Sequence, residues 1–273
     1  LILSRKGVDS SAGGFASPIF PDGSIWSVPI PDPRSPLRYR DLNNPQDASK
    51  IVHNLSRGRV VGSTRVHMDP DLAADTLPRA PGWRGIFGQH GAAQRHLQLQ
   101  GVQPGDLFLF FGWFRQVQRL GRRWYYVADA PDIHLIFGWL QVGAITPAAQ
   151  LQAAWAQYHP HFHGSFGVGN SLYTVTREPL RWAPGHAAAG VFDCLRSDRV
   201  LTAPGCTRSI WQLPGWFDPR DRRSALSYHT DVDRWSPERA GVRLRTAARG
   251  QEFVLDLDHF PEAHDWISGL FRA

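Results

Sequence analysis

"GDLFLFFGWFRQ" at residues 105–116 and "IHLIFGWLQVGAI" at residues 133–145 are the stretches on which the fold turns. Each is too rich in Phe, Ile and Trp and too short to be anything but a buried strand. The two echo one another, FFGWF at 110–114 and IFGWL at 136–140. A turn and a polar stretch around "LGRRW" and "ADAPD" separate them, which implies a hairpin or meander. In each strand a glycine precedes the tryptophan, Gly112 before Trp113 and Gly138 before Trp139. Missing side chains there leave gaps in the sheet surface where an indole or a ligand can approach the backbone.

Upstream, "LIL" at 1–3 reads as a short buried strand and Ser4 to Gly23 as a long loop. "SIWSVPIP" at 24–31 alternates like a strand that ends at its prolines. A helix is signposted in "NNPQDASKIVHNLSRG", with Asn44 as cap, Pro45 in the first turn, Ala48, Ile51, Val52 and Leu55 on one face, and Gly58 as stop. "GQHGAAQRHLQLQGV" is a short helix closed by Gly101. Downstream, "TPAAQLQAAWAQY" at 146–158 has the composition of a helix capped by Thr146. "NSLYTVTREPL", "RSIWQLPGWF" and "QEFVLDL" read as strands, and "FPEAHDWISGLF" as a closing helix. Strands interrupted by a few helices, without regular alternation, predict an α+β fold with a mixed, mostly antiparallel sheet. No clean linker divides the chain, so a single domain with elaborations over residues 1–273 is expected.

Charged residues make up 20% and apolar residues 42% of the 273, with no long apolar run and no secretory signal pattern. A soluble, cytoplasmic protein without membrane contact is expected. The net charge is +6, and of the 30 basic side chains all but Lys6 and Lys50 are arginine. Guanidinium groups suit bidentate phosphate binding, so polyanionic partners are favoured. Lys50 lies on the outer face of the first helix, whereas Lys6 sits in "SRKGVDSS" just after a buried strand. Cys194 and Cys206 are too far apart for a redox or zinc motif and read as buried free thiols. Eleven tryptophans suit both core packing and stacking on a base, and two or three are expected to line a site.

P-loop, dinucleotide-binding, zincin and nucleophile-elbow motifs are all missing. "HPHFHG" sets His159, His161 and His163 at alternating positions, which on a strand would put three imidazoles on one face. Its proline and glycine make it loop-like, and no carboxylate or cysteine lies nearby in sequence. The three histidines are therefore candidate ligands only, and no metal or cofactor is assigned. In "SRKGVDSS" the groups Ser4, Arg5, Lys6, Asp9 and Ser10 could grip a phosphate or a base edge, or form a solvated turn with an ion pair.

The blocks "LILSRKGVDSSAGGFASPIFPDGSIWSVPIP", "GQHGAAQRHLQLQGVQPGDLFLFFGWFRQ", "HLIFGWLQVG" and "SIWQLPGWF" followed by "LSYH" resemble the nucleotide modification associated domain family of the third type. That family is associated with systems that make or handle modified DNA bases. "GDLFLFFGWF" with "IFGWLQVGAI" is also similar to PUA-like modules such as EVE, YTH and ASCH domains, small barrels that hold a base in an aromatic cage. This second resemblance implies a PUA-like barrel as the alternative architecture, with its core strands within 101–180.

Two functions follow as expectations. In the first, the protein recognises or helps process a modified nucleotide in a DNA modification or defence system. Its partners are DNA or nucleotides and possible further components of that system. Arginines such as Arg5 and Arg115 hold phosphate, Trp113, Trp139 or Trp211 stacks on the base, and Gln89 and Gln94 read its edge. In the second, the protein is an enzyme acting on a nucleotide or modified base. Lys6 is then nucleophile or phosphate-charge stabiliser, with Asp9 or His229 as acid or base. A structural subunit of a larger modification complex is a third possibility.

Overall fold

The structure is a computed structural model that describes residues 1–220, 224–247 and 250–272. In chain order the first strands are β1 (Ile2–Arg5), β2 (Ser17–Ile19), β3 (Ile30–Pro31), β4 (Val66–His67), β5 (Ile86–Gln89), β6 (Leu107–Leu120) and β7 (Arg123–Tyr126). They are followed by β8 (Ile133–Pro147), β9 (Ser171–Val175), β10 (Ala189–Val191), β11 (Ile210–Leu213), β12 (Trp235–Glu238), β13 (Gly241–Arg245) and β14 (Glu252–Val254). The helices are α1 (Ala48–Leu55), α2 (Gly91–Leu99) and α3 (Ala263–Phe271).

The two quoted runs are the long central strands β6 and β8, paired antiparallel from Leu107 opposite Gln141 to Phe114 opposite Ile133. Their unbroken apolar character has a direct cause, because both faces of the sheet are covered. Leu107, Leu109 and Phe111 point into one core with Trp139, Trp211 and α3. Phe108, Phe110 and Phe114 point into the other with Phe87, Leu97 and Tyr173. A third apolar cluster joins α1 to the N-terminal loops and to Val117 and Trp124.

The main sheet runs β14, β1, β6, β8, β9, β5, with β2, β7 and β10 paired along its flanks. β1 is parallel to β6, and β2 also adds parallel, while the remaining pairs are antiparallel. The fold is therefore α+β with mixed, mostly antiparallel sheets, and the described residues form no closed barrel. The sheet nevertheless curls until its two ends meet through side chains. Gln89 on β5 donates from Nε2 to Glu252 Oε1 on β14 at 2.5 Å. Helix α2 packs against β14 at that seam.

Some local expectations are corrected. Residues 146–158 form no α-helix: β8 continues through Pro147, with Thr146 opposite Leu172 on β9, and short 3-10 turns follow. Pairing with β9 overrides the helix propensity of the Ala and Gln residues. Helix α1 starts at Ala48 and is capped by Asp47, whose side chain accepts from Lys50 N–H, while Asn44 closes a turn by accepting from Gln46 N–H. Segment 24–31 gives only isolated bridges at Ser24 and Ile25 and the two-residue β3. Cys194 is exposed and Cys206 half-buried, so neither is a buried thiol.

The gaps at Gly112 and Gly138 are filled by protein. A Cβ on Gly112 would lie 2.7 Å from the Lys6 carbonyl oxygen, and one on Gly138 would lie 2.7 Å from Leu72 Cδ1 and 2.9 Å from Gly190 O. These glycines let neighbouring chain segments close onto the sheet. Among the described residues no helix is long and apolar enough to cross a membrane.

Candidate functional site

Side chains two residues apart on a strand share a face. On β1 that rule puts Ser4 and the following Lys6 on the face of Ile2, and on β14 it puts Glu252 with Val254; Ile2 and Val254 belong to the core that holds Phe87 of β5. Gln89 shares the face of Phe87, so the curl of the sheet brings Lys6, Glu252 and Gln89 together. Lys6 Nζ lies 2.8 Å from Glu252 Oε1 and 4.6 Å from the centre of the Phe87 ring. The pair is almost enclosed, at 11% and 1% side-chain exposure. Glu252 Oε2 is buried and has no hydrogen-bond partner among the described residues.

Lys6 and Gln89 open onto a cleft of about 480 Å³, also lined by Arg5, Asp9, Asp32, Arg34, His90 and a group of imidazoles around Asp69. His67 at the end of β4 and Asp69 just beyond it both face the cleft. His159 and His161 arrive from a 3-10 turn on the far side of the chain. Asp69 Oδ1 accepts Gly88 N–H at 2.8 Å and lies 3.3 Å from His159 Nε2. Asp69 Oδ2 lies 3.5 Å from both His67 Nε2 and His161 Nε2. Gly88 is required here, since a Cβ on it would fall 2.5 Å from the His161 ring.

The electrostatics of this cluster are uneven. Burial alone would raise the Asp69 carboxyl, yet the adjoining imidazoles of His159, His161 and His67 hold it well below the usual range. Burial pushes His67 down, but the carboxylates of Asp32 and Asp69 outweigh this and raise it overall. His159 and His90 are lowered, mainly by burial. Asp32, against a burial penalty of its own, is held low by His67 and by Arg34, which bonds both of its oxygens at 2.9 and 3.0 Å.

Of the residues singled out by sequence, Arg5, Lys6, Asp9, Gln89 and His161 therefore share one cleft. Asp9 closes a turn, accepting from Ser11 N–H and Oγ–H and from Ala12 N–H at 2.7 Å. Ser4 is fully buried beneath the cleft. The others lie elsewhere. Trp211 is fully enclosed and Trp139 nearly so, against Phe192 and Phe271, so neither has a free face for a base. Gln94 is buried and accepts from Tyr173 O–H at 2.8 Å. His229 is a core residue with both nitrogens engaged, Nδ1 on Ser227 O and Nε2 accepting Ala247 N–H, which leaves no site for acid or base work. His163 bonds Gln157 O at 2.7 Å, away from the other two histidines of its motif, because the segment is a turn and not a strand.

Trp113, Arg115 and Ser10 belong to a neighbouring region. Trp113 donates from Nε1 to Asp132 at 2.8 Å and is covered by the Arg208 guanidinium at 4.1 Å, which also reaches Ser10 Oγ at 3.4 Å. Arg115 is spent on the Val127 and Ala128 carbonyls. Asp132 and Arg208 line a groove of about 780 Å³ that shares Arg5 with the cleft. On another side, a more apolar cavity of about 430 Å³, lined by Phe20, Trp26, Met68, Leu72 and Phe137, shares Gly7 and Asp69 with it.

Sequence reasoning missed His67, Asp69, Asp32, Arg34, His90 and Glu252. Two signals pointed toward them: the alternating "HMD" of 67–69, and Gly88 inside an apolar strand, a mark of close approach. A family model described as nucleotide modification associated domain 3 matches residues 1–256. Neither a curated protein nor a solved structure matches the chain.

Proposed function

The chain belongs to the nucleotide modification associated domain 3 family, and from that membership and the cleft at Lys6 we propose an enzyme that acts on a nucleotide or modified base within a nucleotide modification system. One observation carries this reading: a Lys–Glu–Gln trio and an imidazole–carboxylate cluster converge on the same cleft from separate parts of the chain. Perturbed titratable groups gathered in a concavity are what proton transfer and nucleophilic chemistry need. Arg5 at the cleft is read as the phosphate contact, and the Phe and Trp side chains of the cavity beside Trp26 as the seat for a ring.

Lys6 is the central group. Held against Glu252 at the wall of the cleft, Lys6 would give a proton to the substrate, or attack it once the carboxylate had taken one from the ammonium. A guanidinium does neither near neutral pH, which accounts for a lysine here in a chain whose other basic residues, Lys50 apart, are arginine. In the test, nucleoside monophosphates and modified oligonucleotides are incubated with wild type, Lys6→Arg and Lys6→Ala, with binding measured by calorimetry and product by mass spectrometry. Lys6→Arg is expected to keep binding and lose turnover. No binding and no mass change with any of these substrates contradicts the proposal.

Recognition of a polynucleotide without chemistry is the second reading, and one observation favours it. The groove carrying Arg208 beside Trp113 adjoins the cleft through Arg5 and could track a strand backbone.

A further inference from the structure

We propose that His67, Asp69 and His161 form a binding site for one divalent first-row transition-metal ion, open on its remaining sides to the cleft. The inference stands on the geometry of these side chains and takes nothing from the nucleotide reading. His67 Nδ1 lies 2.8 Å from Asp32 Oδ2, and His161 Nδ1 lies 2.5 Å from Asn170 Oδ1. The orientation of the Asn170 amide is fixed, because its Nδ2 donates to His161 O at 2.9 Å. Both Nδ1 atoms therefore carry their hydrogen toward an oxygen outside the cluster. Each Nε2 is left facing Asp69 Oδ2, the arrangement in which outer oxygens orient imidazole ligands around an ion.

The spacing agrees. Each Nε2 is 3.5 Å from Asp69 Oδ2, and the three ligand atoms all lie within 4.8 Å of one another. A direct N–H···O bond is shorter, about 2.7–3.2 Å. Ligands bound at about 2.0–2.2 Å around a tetrahedral ion stand roughly 3.3–3.6 Å apart, as the two Nε2–Oδ2 pairs do.

His159 supplies an independent observation. It is fully buried, and its Nε2 points at Asp69 Oδ1 from 3.3 Å without a hydrogen-bond partner among the described residues. Its Nδ1 accepts His161 N–H at 3.4 Å, so Nε2 carries its hydrogen on the side of Oδ1, the oxygen that Gly88 N–H already occupies. Oδ2 is the oxygen left for a cation. Two imidazoles and one carboxylate suit zinc, iron or manganese better than calcium, and three protein ligands leave positions open as in reactive rather than purely structural sites.

The test is a Co²⁺ titration of the full chain without nucleotide, followed by visible d–d absorption. One equivalent is expected to bind. His161→Gln and Asp69→Asn should weaken it by about 100-fold or more, and His163→Ala should leave it unchanged. Because Asp69 also holds Gly88, a zinc-edge anomalous map from zinc-soaked wild-type crystals gives a check that needs no variant, with a peak expected between His67, Asp69 and His161. Absence of both the cobalt spectrum and the zinc peak overturns the proposal, as does wild-type affinity in His161→Gln. Nucleotide binding is measured separately, so either result can fail without the other.

Discussion

Lys6 shows how one residue can serve packing and chemistry together. Its ammonium is shared between Glu252 and the Phe87 ring in a nearly enclosed position. Lys6→Met strands the Glu252 carboxylate, and urea unfolding is expected to register a loss of about 3 kcal/mol. Adding Glu252→Gln should recover most of it. His134 carries a different liability. It is buried, its Nδ1 accepts Trp211 Nε1–H at 3.0 Å, and burial, aided by Arg5 and Arg208, pushes it down to about 3. His229 is lowered, mainly by burial, to about 4. Below the usual imidazole value the unfolded chain binds protons that these folded sites refuse, so stability falls as pH drops. From neutrality to about pH 5 each should cost about 2 kcal/mol. His134→Asn keeps an acceptor for Trp211, and its stability should vary less with pH by that amount. An unchanged slope means that His134 protonates in the native state. At this scale the sequence showed Lys6 through composition alone. It could not show Glu252, 246 residues away, because only the β1–β14 pairing makes them neighbours.

The strands carry the site because their alternation fixes what faces the cleft. Gly88 on β5 and Gly138 on β8 are both strand glycines under close contact, but with opposite consequences. Gly88→Ala places a methyl group against the His161 ring, which moves toward or away from Asp69, while the core is untouched. Cobalt binding should be lost at a stability cost of about 1–3 kcal/mol. Gly138→Ala meets a backbone carbonyl, which cannot turn aside. Thermal unfolding should shift down while the folded protein binds cobalt as wild type does. Equal effects of the two on cobalt binding would contradict this division. The central strands, α2 and α3 were legible in sequence because apolar runs and helical spacing are local signals. The end of β8 at 146–147 was not, since there a partner strand decides against propensity. His67, Asp69 and Gly88 left only local hints, because each gains meaning only when the sheet curls.

Across the whole molecule, the excess of arginine favours a polyanionic partner, and the family is one associated with nucleotide modification. If a strand lies along the groove past Arg5 and Arg208, oligonucleotide affinity should fall steeply with salt. The log–log slope should correspond to roughly three or more phosphate contacts. A mononucleotide confined to the cleft gives a much shallower slope, so the comparison separates a DNA-acting protein from one that handles free nucleotides. The curl that joins β5 to β14 through Gln89 and Glu252 places both ends of the sheet in one cleft. The claim that this cleft is the nucleotide site is tested most directly by a crystal structure of the wild-type chain soaked with a deoxynucleoside monophosphate. The expected result is phosphate density beside Arg5 and Lys6, with the base toward Trp26. Ordered nucleotide only in the groove at Arg208, or none at millimolar concentration, contradicts it.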